Sequence, residues 1–150
     1  MVLLGEYEAT VDAKNRFLLP GALKKQFPEN EKLVLSRGID ENLVLYPIKT
    51  WDALVKKLMA MNEFDPKVRK FKTIMLGGST EIELDSAGRV LLPPSLKEYG
   101  KLKKDIVLAG DLDKIIIWDA AEYKKLFETT TAQEFSDMAQ EVGATVKNAG

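Results

Sequence analysis

Hydrophobic residues follow two different periodicities along the chain. From Glu6 to Val11, apolar and polar residues alternate, which predicts a strand with one buried face. Continuous apolar runs come next, and such runs are typical of strands covered on both faces. These runs occupy residues 17–19 and 90–92, and further apolar strands are predicted at 33–35, 43–46, 106–108 and 115–118. Residues 51–61 and 66–76 carry apolar side chains at helical spacing instead, so the pattern predicts an α+β fold that is mainly β.

The first half of this pattern returns in the second half. The motif Asp-x-x-x-Arg runs from Asp12 to Arg16 and again from Asp85 to Arg89, 73 positions later. The residues that recur at this offset are Asp12, Arg16, Leu18, Leu19, Pro20, Leu23 and Lys24. So many identities in register indicate that one structural unit is present twice. Each copy is predicted to form a strand, a turn, a strand, a short helix, then a second pair of strands joined by a turn, and a final helix.

The repeat also sets the expected domain boundaries. We predict a first unit at residues 5–48, a helical spacer at 49–76, a second unit at 77–120, and at 121–150 a helix with a partly disordered acidic tail, the disorder starting at about Gly143. Thr50 is predicted to cap a spacer helix that starts at Trp51. Asp65 and Pro66 predict the start of a second spacer helix, and Gly77-Gly78 predicts its end.

The turn inside each motif carries Asn15 in the first copy and Gly88 in the second. Glycine adopts a positive φ most easily, and asparagine is among the next best. Both positions therefore predict a left-handed residue that closes a hairpin. The following strand is expected to end at Pro20 or Pro93, because proline is well placed at the start of a helix. The motif arginine therefore lies where the turn enters its second strand.

The composition and motifs of the chain exclude several classes of catalytic and ligand-binding site. The chain has no His and no Cys, which excludes Ser-His-Asp and Cys-His nucleophilic sites as well as the usual zinc sites. It has no P-loop and no Gly-x-Gly-x-x-Gly motif. No apolar run approaches the roughly 20 residues that span a bilayer, and no signal sequence is recognisable. We expect a cytoplasmic protein that is not an enzyme and that uses no metal, cofactor or small-molecule ligand.

Charge is unevenly distributed, although the net charge is only −1. Residues 12–25 and residues 85–104 each carry a net charge of +3, whereas residues 119–150 carry −3. A basic surface is the usual sign of nucleic-acid binding. In the net charge of this chain, the acidic tail offsets two mildly basic motif regions. Ordinary solvated surface charge is the alternative explanation, because short like-charged stretches are common.

The two motifs resemble those of a known class of DNA-binding fold. Val11-Asp12-x-x-x-Arg16-x-x-x-Pro20 and Leu84-Asp85-x-x-Gly88-Arg89-x-x-x-Pro93 are similar to the AbrB-type swapped hairpin. With two copies, a helical spacer and the ending Asp113-Lys114-Ile115-Ile116-Ile117-Trp118-Asp119, the chain closely resembles the MraZ family from about Gly5 to about Phe127. One departure is Asn15, where that family commonly has glycine, and an asparagine is compatible with the turn.

The resemblance implies both a fold and a function. The implied fold is a pseudo-two-fold barrel in which two AbrB-like units interlock, joined and flanked by helices. The implied function is that of a bacterial transcriptional regulator of the division and cell-wall gene cluster, associated with the nucleoid. It implies binding to short G-rich direct repeats in double-stranded promoter DNA, through a ring-shaped homo-oligomer.

The resemblance places DNA contact on Arg16 and Arg89, because a guanidinium can pair with two acceptors of one guanine. The alternative is a structural ion pair with Asp12 or Asp85, and both roles hold if the aspartate orients the arginine. The remaining candidates for DNA contact are Lys14, Asn15, Lys24 and Arg37. The residues expected to shape the turns are Asp12, Asp85 and Gly88, since aspartate in turns accepts backbone N–H bonds.

The two turn tips differ in the side chains that they offer to DNA. The first tip carries Lys14 and Asn15, whereas the matching tip in the second copy carries Ser86 and Ala87, which are much less suited to DNA contact. We therefore expect the first unit to meet DNA more strongly than the second.

Two other functions compete with the regulator. An antitoxin-like subunit or another protein-interaction module is the main alternative, because a fold does not fix a function and the acidic tail offers a partner surface. The doubled motif favours the regulator, since it gives each chain its own pseudo-dimer. An enzyme using Glu6, Glu8 and Asp12 is disfavoured, because these carboxylates lie on an alternating, exposed strand face.

Overall fold

The computed structural model describes residues 2–28 and 30–145. The chain divides into two compact units, Met1–Ala120 and Ala121–Gly150. The first unit contains both motif copies together with the helical spacer. The two halves of the repeat are therefore parts of one compact body.

Eight strands and six helices occur among the described residues. The strands are β1 (Glu6–Thr10), β2 (Arg16–Leu18), β3 (Leu33–Arg37), β4 (Leu43–Pro47), β5 (Thr80–Ile82), β6 (Arg89–Leu91), β7 (Asp105–Gly110) and β8 (Ile115–Asp119). The helices are α1 (Gly21–Lys24), α2 (Ile48–Met59), α3 (Pro66–Gly77), α4 (Pro94–Tyr99), α5 (Ala120–Glu128) and α6 (Ala132–Gly143). This order confirms the predicted α+β fold with two repeated units.

The two halves of the repeat exchange strands. Six strands form one antiparallel sheet in the order β1-β7-β8-β4-β3-β5, and β2 pairs with β6 in a separate two-stranded ribbon. Strand β1 of the first half pairs with β7 of the second half, and β5 of the second half pairs with β3 of the first. Corresponding strands occupy corresponding places from either edge of the sheet. Because a half of this size is close to the limit of independent stability, the exchange lets both halves share one core.

One face of the sheet and the inner side of the ribbon enclose the main core. Strand alternation turns Leu35, Leu45 and Leu108 to this face, and all three are fully buried. The ribbon and the segments that follow it add Phe17, Leu19, Leu23, Val90, Leu92 and Leu96. These six residues are three pairs of repeat equivalents, so both copies contribute alike to the core beneath the motif.

The helical spacer packs on the opposite face of β3 and β4. A second buried cluster there consists of Val34, Val44, Tyr46, Leu58 and Met75. The hydroxyl of Ser36 donates to the carbonyl oxygen of Met75 at 3.3 Å. The Arg37 guanidinium donates through Nη1 to the carbonyl oxygen of Ile74 at 2.7 Å. Because carbonyl groups at the end of a helix lack partners within it, these bonds tie α3 to the sheet.

The prediction that the motif strands are covered on both faces is wrong. Leu18 is 56% exposed and Leu91 is 58% exposed, whereas their neighbours Phe17 and Val90 are buried. The cause is the two-stranded ribbon, which packs on the core with one face and turns the other face away. A continuous apolar sequence therefore forms, in both ribbon strands, a strand with one buried and one exposed face.

Helix α2 begins at Ile48 and not at the predicted cap, Thr50. Pro47 occupies the N-cap position with a φ of −59°, so the chain passes directly from β4 into the helix. The Thr50 hydroxyl lies within the first turn and donates to the carbonyl oxygen of Asp113 at 2.7 Å. Helix α3 begins, as predicted, after a cap at Asp65.

Helices α5 and α6 account for most of the described residues of the second unit. The Thr131 hydroxyl accepts the backbone N–H of Glu134 at 3.1 Å and so caps α6. Phe135, Met138 and Val142 form an exposed apolar stripe along this helix. The predicted disorder from about Gly143 falls on Ala144 and Thr145, which form a turn, and on residues 146–150, which lie outside the described residues.

Candidate nucleic-acid interface

The first motif folds into a turn organised around the carboxylate of Asp12. Its Oδ1 accepts the backbone N–H groups of Lys14 and Arg16, both at 2.9 Å. Its Oδ2 accepts the Arg16 Nε–H at 3.0 Å. Asn15 closes the turn with a φ of +60°. One carboxylate therefore fixes both the backbone of the turn and the direction of the arginine.

The second motif repeats this geometry around Asp85. Its Oδ1 accepts the N–H groups of Ala87 at 3.0 Å and Arg89 at 2.9 Å, and its Oδ2 accepts the Arg89 Nε–H at 2.8 Å. Gly88 takes the left-handed position with a φ of +83°. Within the described residues, neither motif guanidinium makes another hydrogen bond. Since a guanidinium has five N–H donors, four on each motif arginine remain for a ligand.

These hydrogen bonds lower the pKa of both aspartates. For Asp12 the largest contribution is the N–H of Arg16, and for Asp85 it is the N–H of Arg89. A carboxyl whose pKa is lower in the folded state stabilises the fold above its unfolded pKa of about 3.9. This stabilisation is lost as the pH falls through the lower folded value. Near neutral pH both aspartates are therefore ionised, and both turns keep these hydrogen bonds.

An acid titration checks this assignment. The free energy of unfolding is expected to fall as the pH drops below about 4, and the variant Asp12→Asn/Asp85→Asn should lose part of that dependence. Urea unfolding at several pH values measures the effect. Asp52→Asn removes one carboxylate from the exposed side of α2 and should keep the dependence of the parent protein. An unchanged pH profile in the double variant would contradict the turn assignment.

Both motif arginines lie on the exposed face of the β2–β6 ribbon. Arg16 pairs with Leu91 across the ribbon, and Leu18 pairs with Arg89. Because alternate residues of a strand share one face, all four side chains are on the side away from the core. The two arginines are diagonal neighbours, a relation that places residues about 7–8 Å apart, with their Cβ atoms somewhat closer. The duplication thus produces one surface with two arginines and not two separate surfaces.

Each turn tip is held by the hairpin of the other half. The N–H of Leu92 donates to the carbonyl oxygen of Asn15 at 2.8 Å, and the N–H of Leu19 donates to that of Gly88 at 3.1 Å. The tips therefore belong to the interlocked ribbon and are not free loops. These bonds hold the backbone of each tip directly before the motif arginine, and so help to fix the position from which the arginine side chain extends.

The other predicted contacts separate into two groups. Lys14 is exposed on the first turn, and Lys24 is exposed on α1, which follows the ribbon. Arg37 is not brought to this face, because it ends β3, stacks over the Tyr99 ring at 5.6 Å and binds the end of α3. Sequence reasoning missed Lys97, which contacts Asn15, although its recurrence with Lys24 in the repeat is a signal that could have found it.

Two other features, a metal-binding cluster and a membrane-spanning helix, are absent from the described part of the chain. In residues 2–28 and 30–145 no group of three acidic side chains is placed to hold a metal ion. Among the helices formed by these residues, none is both long enough and apolar enough to cross a membrane. The ribbon face is the surface on which the motif residues converge.

The exchanged strands and the paired Asp-x-x-x-Arg turns define the class as a duplicated swapped-hairpin protein of the AbrB type. The family described as "MraZ protein, putative antitoxin-like" matches twice, over residues 2–74 and 75–144. A "Transcriptional regulator MraZ" of Christiangramia forsetii is 36% identical over 93% of this chain and 92% of its own length. Proteins of the same name from Herpetosiphon aurantiacus and Desulfitobacterium hafniense are 35% and 38% identical, covering 95% and 80% of this chain and 98% and 82% of their own lengths. The chain therefore belongs to the MraZ family.

Proposed function

We propose that the chain is a sequence-specific DNA-binding transcriptional regulator. The observation that carries the proposal is the ribbon face, where Arg16 and Arg89 are oriented by Asp12 and Asp85 and keep their terminal amino groups for a ligand. The relatives named as transcriptional regulators support it, because they align with nearly the whole chain. Double-stranded DNA is the proposed partner, and the nucleoid is the proposed place of action.

The ribbon has a shape and a chemistry suited to the major groove. That groove admits a two-stranded β-ribbon, and its commonest specific contact is an arginine that donates to O6 and N7 of guanine. In the proposed complex Arg16 and Arg89 meet guanines, which agrees with the G-rich sites that the resemblance implies. Because within the described residues each guanidinium is held through Nε alone, its terminal amino groups remain available to a ligand. An oriented arginine loses less conformational freedom on binding than a free one.

The remaining candidate residues have unequal roles in this proposal. Lys14 and Asn15 supply contacts at the first tip, and Lys24 neutralises a phosphate. Arg37 is the least suited of the predicted contacts, because its guanidinium is engaged with α3 and Tyr99. The first motif is therefore proposed to dominate the interaction, with the second motif adding mainly Arg89.

The finer features follow from the resemblance and from charge. We propose binding to short direct repeats in the promoter of the division and cell-wall gene cluster, including the chain's own upstream region, through a ring of identical subunits. Each motif region carries only +3, and DNA affinity rests largely on neutralised phosphates. A ring repeats the ribbon face and so multiplies weak contacts through effective concentration.

Binding to the chain's own upstream DNA tests the proposal. The full chain is titrated against the upstream fragment and against a scrambled fragment of equal length, over a series of salt concentrations. The upstream fragment should bind more tightly, with an affinity that falls by about 0.9 log units per neutralised phosphate for each log unit of salt. Equal affinity for both fragments would contradict a sequence-specific regulator. A monomeric mass by sedimentation, at full promoter affinity, would contradict the ring.

A protein-interaction module is the second candidate. The antitoxin-like description of the family favours it, as does the exposed apolar stripe of Phe135, Met138 and Val142 on the acidic helix α6. Equal binding to the two DNA fragments would favour this candidate over the regulator.

A further inference from the structure

The first turn tip is a composite of both halves of the repeat. Lys97 of α4, in the second half, donates through Nζ to Asn15 Oδ1 at 2.8 Å. Both residues are half-buried. A hydrogen bond from a charged donor is roughly twice as strong as one between neutral groups. The tip that carries Lys14 and Arg16 is therefore braced by a cation that the other half supplies.

The second tip lacks the equivalent bond although it has the equivalent lysine. Lys24 corresponds to Lys97, and its Nζ lies 3.5 Å from the place that a Cβ of Gly88 would occupy. Glycine offers no side-chain acceptor, and Lys24 is exposed where Lys97 is half-buried. The duplication has thus placed a lysine against each tip from the opposite half. One of these lysines is bonded to its tip, whereas within the described residues no hydrogen bond joins the other to its tip.

The difference follows from the residue in the left-handed position. Asn15 holds a φ of +60°, a left-handed conformation that costs an asparagine less than most residues but more than a glycine. A bond from Lys97 to its amide fixes that side chain and opposes a change of backbone conformation. Gly88 adopts its φ of +83° without steric cost and needs no brace. The strained tip is therefore the one that receives support.

We infer that Lys97 is a positioning residue for base recognition by the first tip, while its repeat equivalent Lys24 is a contact for backbone phosphate. The inference rests on the proposed DNA-binding function. It assigns different roles in that function to two lysines at equivalent positions of the repeat. Lys97 acts through Asn15 on the orientation of Lys14 and Arg16. Its loss should reduce discrimination between DNA sequences, whereas loss of Lys24 should weaken binding to all sequences.

Measuring the ratio of affinities separates the two roles. Each variant of the full chain is titrated with the upstream fragment and with the scrambled fragment. Lys97→Met should lower the ratio of the two affinities by about 10-fold, a usual size for coupling between neighbouring groups. Lys24→Met should lower both affinities by a similar factor and reduce the salt slope by about 1, as expected of a phosphate contact. Lys70→Met removes one charge from α3, on the opposite side of the sheet, and is the matched control.

A double-variant cycle tests whether Lys97 acts through Asn15. Asn15→Gly removes the amide acceptor and the strain together. In that background Lys97→Met should cause little further loss of discrimination. Lys97→Arg retains a charged donor and should restore most of the discrimination. If Lys97→Met does not fold by circular dichroism, Lys97→Gln replaces it, since its amide is uncharged and shorter.

The outcomes distinguish this inference from the function on which it rests. If the parent protein does not prefer the upstream fragment, the proposed function fails and the inference fails with it. If the parent prefers that fragment but Lys97→Met weakens both DNAs equally, Lys97 is a phosphate contact and only the inference is overturned. Full additivity of Lys97→Met and Asn15→Gly would also overturn it.

Discussion

Arg16→Ala is expected to lower affinity for the upstream fragment by roughly 5- to 150-fold, the equivalent of about 1–3 kcal/mol for one bidentate contact with guanine. Affinity for the scrambled fragment should change much less, because only one charge is lost there. The gap between the two affinities should therefore collapse. Fluorescence anisotropy with both fragments at one salt concentration measures this effect.

The fold should survive this substitution. The Asp12 carboxylate keeps its bonds to the backbone N–H groups of Lys14 and of residue 16, which do not depend on the arginine side chain. Arg69→Ala is the matched control, since Arg69 lies on α3, on the opposite face of the sheet from the ribbon, and donates to the carbonyl oxygen of Glu63. It removes the same side chain and charge but should leave discrimination unchanged.

Two results would contradict a role of Arg16 in recognition. If Arg16→Ala unfolds the chain by circular dichroism, the ion pair with Asp12 is the main function of this arginine. If the variant folds but retains the full affinity gap, another residue reads the DNA.

Because Arg16 and Arg89 are diagonal neighbours, the losses of affinity caused by Arg16→Ala and Arg89→Ala should not add in the double variant.

The repeat allowed more of this fold to be predicted than element patterns alone would have done. Identities at one offset indicated a duplicated hairpin. The equivalence of Asn15 and Gly88 in the two copies indicated a left-handed backbone at this position, and both residues adopt it. These predictions depend on local chemistry. The resemblance implied that the two halves interlock, but the pairing of β1 with β7 and of β5 with β3 was not predicted, since strand exchange leaves no mark on periodicity.

What the sequence did not predict depends on contacts between distant segments. Leu18 and Leu91 lie within continuous apolar runs, and only the narrow ribbon decides that one face is exposed. Thr50 has a good capping side chain, but the preceding Pro47 carries the chain into the helix earlier. The bond from Lys97 to Asn15 joins residues 82 positions apart, so only the folded arrangement shows it.

Phe17→Ala is expected to destabilise the chain by about 3–5 kcal/mol, the usual loss when a buried phenylalanine is removed. Phe17 is 1% exposed and lies opposite Val90, itself fully buried, where the ribbon packs on the shared core. Its removal leaves a cavity beneath both halves at once, since each half contributes one ribbon strand. Urea unfolding at a fixed protein concentration measures the loss, because self-association would make stability depend on concentration.

Leu18→Ala, at the next residue of the same strand, is the control for this experiment. Leu18 is 56% exposed, so its loss should change stability by no more than about 0.5 kcal/mol. A pair of adjacent apolar residues with such unequal effects would confirm that the ribbon has one buried and one exposed face. A small loss for Phe17→Ala would mean that the ribbon is not packed on the core. Equal and large losses would mean that the exposed face of the ribbon is covered in solution, and the motif arginines on that face would then lie within a protein contact.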